Sequence, residues 1–252
     1  MRRIPMASLS LLLIGAGIWL FITKYNLNPD IRKVTYTLNP GTPLATPVIS
    51  LESDKPGPCI LIVGGIHGDE PAGVQACSEL AENLIPPRGQ LILIPVANPP
   101  ALTAQKRFFP SDSDLNRAFG SEAAKGNTVH LRDALWSLLI ARKVHWVIDL
   151  HEARGFYREG ENTVGQSLIF PPAPETAGLV MKILDGINRQ LDSDLAFTYL
   201  SPPKKGSLVQ EAYEQLDIPG LIVETSKEQE LATRVAQHRL VVENIVEAIL
   251  KE

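Results

Sequence analysis

The chain has 252 residues, of which 44% are hydrophobic, with 24 basic and 28 acidic side chains and a formal net charge of −4. That is enough apolar material for one sizeable α/β domain with small additions. The acidic balance offers no attraction for a phosphate backbone, which argues against a nucleic-acid partner. Two cysteines, Cys59 and Cys77, without a CxxC spacing are too few for a disulfide scaffold and are expected to stay unbridged.

The first element is "IPMASLSLLLIGAGIWLFIT" (4–23), an uncharged run preceded by Arg2 and Arg3. Its length suits a helix that spans a bilayer. An uncleaved anchor, a cleaved signal peptide and a buried helix compete for it. The small residues at 15–17 make a poor cleavage site because "IWLF" continues the apolar run, so a membrane anchor over 1–23 is expected. The cations before the run favour an N-terminus inside and a domain outside the cytoplasm, in the periplasm.

Residues 24–57 are proline-rich and carry two short strand patterns, "KVTYTL" and "PVISLE". They read as a tether followed by edge strands. From 58 to 252 the pattern alternates. "CILIVGGI" is a buried strand, "EPAGVQACSELAENL" a helix with proline near its first turn, and "GQLILIPVAN" a strand. Residues 99–127 read as a long irregular stretch, a length that in a compact domain usually marks function. A helix (128–143), the strands "VHWVIDL" and "QSLIF", a helix (175–191), a strand (195–200), a helix (207–216), the strand "GLIVET" and an amphipathic last helix follow. This order predicts a three-layer α/β/α fold. Its sheet is mixed, mostly parallel and of about eight strands, with helices on both faces and an N-terminal transmembrane helix in addition.

Open α/β sheets bind ligands at the carboxyl ends of their strands. Here those ends carry His67, Asp69 and Glu70, then Asn98, then His151 and Glu152, then Glu224. Any one of them could be a cap or turn residue, but polar residues do not collect at one edge by chance. His67 and Glu70 are three apart, and His151 follows Glu70 by 81 residues. A short-spaced pair with one distant partner suits a catalytic zinc site, which uses three protein ligands and keeps one position open. The spacing H-x-x-E alone is weak. His130 and His238, on helices, and His145, at the far end of a strand, read as structural or solvent-facing.

The segments "GGIHGDE", "SDLNRAF", "IDLHEA" and "IVETS" occur in the order and context of the zinc-carboxypeptidase superfamily. They resemble its succinylglutamate desuccinylase/aspartoacylase branch over about residues 58–250. The resemblance implies one Zn²⁺ per chain held by His67, Glu70 and His151, with Glu224 as general base. It also implies Asn116 and Arg117 as the clamp on a substrate carboxylate, Arg107 as the group that polarises the scissile carbonyl, and Asp114 as the carboxylate that orients His67. A looser match over "GSLVQEAYEQLDIPGLIVE" (206–224) places Leu208 near the pocket for the substrate side chain. Tyr199 is the nearest candidate for the tyrosine that closes over substrate. Asp69 stands where the animal carboxypeptidases have arginine, so substrate preference does not carry over.

These residue types suit hydrolysis. A carboxylate such as Glu224 can take a proton from water and pass it to a leaving amine. An arginine grips a carboxylate with two parallel donors. The expected activity is hydrolysis of an amide bond beside a free carboxylate, in a peptide or an N-acyl amino acid, cell-wall peptides included. A membrane-tethered cytoplasmic deacylase of small metabolites and a non-catalytic zinc-binding interaction domain are the alternatives. The second is disfavoured because a mere binder needs neither Glu224 nor Arg117.

Overall fold

The strand at Cys59–Val63 (β3) is five apolar residues, all buried, as expected of a strand covered on both faces. In the computed structural model, which describes residues 31–157 and 162–251, β3 lies near the middle of an eight-stranded sheet. The other strands are β1 (Ile31–Leu38), β2 (Thr46–Ser53), β4 (Gln90–Ile94), β5 (Trp146–Ala153), β6 (Ser167–Ile169), β7 (Thr198–Leu200) and β8 (Gly220–Ser226). Their order is β1-β2-β4-β3-β5-β8-β6-β7. The expected anchor over 4–23 lies outside the described residues. Among the described residues no helix is long and apolar enough to cross a membrane.

Four neighbouring pairs are parallel, β3 with β4 and β5, β5 with β8, and β6 with β7. Three are antiparallel, β1 with β2, β2 with β4, and β6 with β8. The sheet is therefore mixed with parallel pairs in the majority, as expected. Each reversal has a local cause. Only seven residues separate β1 from β2, too few for a parallel crossover. The described residues between β5 and β6 likewise hold no helix.

Among the described residues five helices cover the two faces. The helices α1 (Pro71–Asn83), α4 (Pro174–Asn188) and α6 (Leu231–Lys251) share one apolar layer with Ile60, Ile62, Ile148, Leu150, Leu221 and Val223. The helices α3 (Asn127–Ala141) and α5 (Leu208–Leu216) share the other with Leu61, Val63, Val147 and Ile222. The alternation of neighbours along β3, β5 and β8 between these layers is the period-two geometry of a strand. Residues 99–127 are less irregular than their sequence. They hold a short helix α2 (Pro99–Ala104) and a 3₁₀ turn at Leu115–Arg117. Asn98 starts α2, since its side chain accepts from Ala101 N at 3.3 Å, and two prolines occupy the first turn, where no N–H is needed.

Candidate active site

The carboxyl ends of β3, β5 and β8 meet at one edge. Directly after β3 the chain runs through Gly64–Glu70 into α1. Gly68 makes this passage possible: a Cβ there would stand 2.0 Å from the backbone of Ala101, and the Gly68 N–H donates to Lys106 O at 3.0 Å. The turn is thereby pressed against α2, and His67 and Glu70 face inward, each only 2% exposed. On β5, His151 is equally buried and lies directly beside Glu224 of β8 in the parallel register. Neighbours in register share a sheet face, so Glu224 stands next to the histidine.

His67, Glu70 and His151 offer donor atoms that all lie within 4.8 Å of one another. His67 Nδ1 is 2.9 Å from Glu70 Oε1, His151 Nδ1 is 2.8 Å from Glu70 Oε2, and the two Nδ1 atoms are 3.1 Å apart. Both rings turn the same nitrogen inward and give the other to a carboxylate. His67 Nε2 is 3.0 Å from Asp114 Oδ1, and His151 Nε2 is 2.8 Å from Asp149 Oδ2. A carboxylate behind each imidazole fixes ring and tautomer, the arrangement that metal-binding histidines use. Two nitrogens and one carboxylate in a buried cluster suit a divalent cation of the zinc type, so the donor set fits the expected metal.

The electrostatics agree. Burial opposes charge on His67, but Glu70 and Asp114 outweigh it and raise its pKa. Burial likewise opposes charge on His151, and Asp149 and Glu70 hold its pKa well above the usual histidine value. Glu70, despite burial, is held well below the usual carboxylate range by the two histidines. Glu224 behaves oppositely. Burial, reinforced by Glu70 and Asp149 against the pull of the histidines, pushes its carboxyl up to about 7. That value is matched to proton transfer near neutral pH.

The remaining expected residues divide. Asp114 takes its expected place, and its Oδ1 also accepts from Asn116 N at 2.9 Å. Arg107 reaches the cluster, with Nε 2.9 Å from Asp114 Oδ2 and a guanidinium nitrogen 3.7 Å from Glu70 Oε1. Arg117 is exposed, and its guanidinium donates to the neighbouring Asn116 carbonyl at 2.5 Å. The nearby Asp112 accepts from Asn127 N and Nδ2 at the start of α3. Asn116 is 4% exposed. Its Oδ1 accepts from Leu208 N at 2.9 Å, and its Nδ2 lies 3.0 Å from His151 Nε2. Its amide oxygen thus ties the 3₁₀ turn to the start of α5 and its amide nitrogen packs against the histidine ring. Leu208 is fully buried and its side chain belongs to the α3/α5 apolar layer. Tyr199 stacks on Phe170 at 6.1 Å, a residue of the opposite layer. The structure does not bring Tyr199 to the cluster.

Asp149 escaped the sequence reading. Its signal was present: a carboxylate inside the apolar run "VIDL", two residues before His151, must share the histidine's face. Asn98, Asp69 and His238 are structural. Asn98 caps α2 and Asp69 pairs with Lys227 at 3.1 Å. His238 is buried against Thr225 Oγ1 at 3.1 Å, and burial lowers its pKa to about 3.

A family model described as "Succinylglutamate desuccinylase/Aspartoacylase catalytic domain" matches residues 56–249. The chain belongs to this family. Among its relatives, the N-alpha-acetyl-L-2,4-diaminobutyric acid deacetylase of Halomonas elongata is 36% identical over 98 residues, 38% of this chain and 28% of that one. The succinylglutamate desuccinylase of Burkholderia pseudomallei is 33% identical over 110 residues, 37% of this chain and 30% of that one. These matches span less than a third of the curated relatives' length. The fold resembles that of product-bound Csd4 from Helicobacter pylori (TM-score 0.70, 21% identity, covering 81% of this chain and 55% of that one). The mDAP-bound form of Csd4, described as a D,L-carboxypeptidase, gives a TM-score of 0.67 at 22% identity, with 77% of this chain and 51% of that one covered. Family members with known activities are thus hydrolases of the deacylase and amidase type.

Proposed function

We propose that this chain is a zinc-dependent hydrolase of an amide bond adjacent to a free carboxylate. The observation that carries the reading is the register of His151 with Glu224. It sets a carboxyl group with a pKa near 7 beside three converging cation donors. His67, Glu70 and His151 would hold one Zn²⁺. A zinc ion in such a site polarises a carbonyl and lowers the pKa of water. Water adds to the carbonyl carbon while Glu224 accepts its proton. Glu224 then delivers that proton to the amine nitrogen as the carbon–nitrogen bond breaks. Arg107, released from Asp114, would donate to the carbonyl oxygen. Arg117, which pairs with no carboxylate among the described residues, would grip the substrate carboxylate bidentately. Asn116 holds the start of α5 beside that arginine.

The reading extends to a tether. Ile31 pairs with Ser53 and Glu52 with Gln90, while Gln90 also pairs with Cys59. Ile31 therefore lies at the amino ends of β3 and β4, opposite the catalytic edge. Residues 24–30 can extend at most roughly 25 Å. An anchor at 4–23 would hold the domain with its catalytic edge turned away from the bilayer, and we propose the periplasmic side. Peptides of the cell wall are within reach there, and small N-acyl amino acids form the competing substrate class. An activity screen of the zinc-loaded domain would decide between them. Peptides and N-acyl amino acids, each with a free and an amidated carboxylate, would be compared. Turnover of free forms over amidated ones supports the reading, and equal turnover rejects the carboxylate clamp. A phosphatase fused after residue 252 reports the side, and its inactivity would reject the periplasmic placement.

A further inference from the structure

Glu70 occupies the N-cap position of α1, yet its side chain makes no cap hydrogen bond. A cap would normally satisfy the free N–H groups of the first turn and complement the positive end of the helix. Glu70 cannot serve, because both of its oxygens face the histidines. The carboxylate that does serve comes from β5. Glu152 Oε1 accepts from Ala72 N at 2.6 Å. Its other oxygen pairs with Arg234 on the first turn of α6, and the two side chains are 0% and 13% exposed. The Glu152 backbone N–H donates to Glu70 Oε2 at 3.2 Å. Arg234 is itself held by donating from Nε to Gln229 O at 3.0 Å. One residue thus takes over the cap that Glu70 gives up and also fixes a Glu70 oxygen.

We propose that Glu152, locked by Arg234, is a positioning residue for the metal ligand Glu70. Its side chain lies on the sheet face opposite His151, so it acts through α1 and not on substrate. The arrangement explains why a buried ion pair stands directly behind the cluster. It holds the helix start, and with it the ligand, without spending a ligand oxygen on capping. This inference rests on the metal-site reading of His67, Glu70 and His151.

The test is zinc affinity measured by chelator competition on the purified domain, with thermal melting of the metal-free protein alongside. Glu152→Ala should weaken zinc binding about 10- to 100-fold, the usual effect of removing a partner behind a ligand. Glu152→Gln keeps an acceptor for Ala72 N and should weaken it less. A cavity variant in α6, Ile245→Val, should lower melting without moving zinc affinity. In a Glu70→Ala background the further change Glu152→Ala should have no additional effect on zinc affinity, because the residue acts through Glu70. Wild-type affinity in Glu152→Ala, or an equal loss with Glu70 already removed, overturns the proposal. If Glu152→Ala does not fold, Glu152→Gln in both backgrounds decides by the same criterion. A wild-type domain that binds no zinc refutes the metal-site reading itself.

Discussion

Replacing Asp149 should loosen the metal without touching substrate. Asp149 is fully buried, and its Oδ2 lies 2.8 Å from His151 Nε2. With zinc on Nδ1, Nε2 carries a proton and donates to this carboxylate. A hydrogen bond to a charged group contributes about 1.5–3 kcal/mol and one between neutral groups about 0.5–1.5 kcal/mol. Asp149→Asn keeps an acceptor of the same shape and loses about 1–1.5 kcal/mol, or roughly 5- to 12-fold in zinc affinity. Asp149→Ala loses the whole bond and should cost roughly 10- to 150-fold. The assay is chelator competition, with KM measured at saturating zinc as the control that should stay within about twofold. In the metal-free protein Asp149 also pairs with His151, so the metal-free variant should melt lower than the metal-free wild type, which is why zinc affinity and not melting is the readout. Equal affinity in wild type, Asp149→Asn and Asp149→Ala would refute the reasoning.

Further outcomes follow from the same geometry. Arg117→Ala, or amidation of the substrate carboxylate, should each lower kcat/KM about 10- to 150-fold, since a charge-assisted bond contributes about 1.5–3 kcal/mol. The two losses should not multiply, and a full cycle of both enzymes against both substrates measures this. Zinc must displace the protons that the raised pKa values of His67 and His151 retain, so affinity should rise with pH by up to about tenfold per unit per proton. The metal-free fold should do the reverse. The raised histidine values stabilise it below their ordinary pKa of about 6.5 and cease to as pH climbs above it, while the Glu224 carboxyl, raised to about 7, costs stability from about pH 4.5 upward, so its melting temperature should fall as pH rises past about 6.5. Gly68→Ala should cost about 1–3 kcal/mol by overpacking against Ala101, a drop of roughly 2–12 °C in melting temperature for a domain of this size.

Much of this was legible in the sequence because it rests on local pattern. The apolar runs at 59–63 and 220–223 are strands, and their polar ends reach one edge because parallel strands share a direction. His67, Glu70, His151, Glu224 and Asp114 followed from that edge and from the four motifs. What remained hidden depends on packing between distant segments. Nothing near Asn116 in sequence says that Leu208, 92 residues away, will claim its carbonyl oxygen. Tyr199 sits one residue from a strand position on the catalytic face, and a one-residue step in a strand reverses the side chain. Glu152 read as one more polar residue at a strand end, because its role is set by the helix that starts at Pro71. The mixed character of the sheet was expected, but which strands run against the others was not legible, because the alternating pattern records helices and not the direction of a short strand such as β6.

The most direct test of the account measures zinc content and turnover together in Glu224→Gln. The account predicts one zinc per chain, as in wild type, and a loss in kcat of about 10²- to 10⁴-fold, the range for removing a general base. Loss of the metal would make Glu224 a ligand. Full turnover with the metal in place would remove it from the reaction. Either result contradicts the assignment on which the proposed hydrolysis stands.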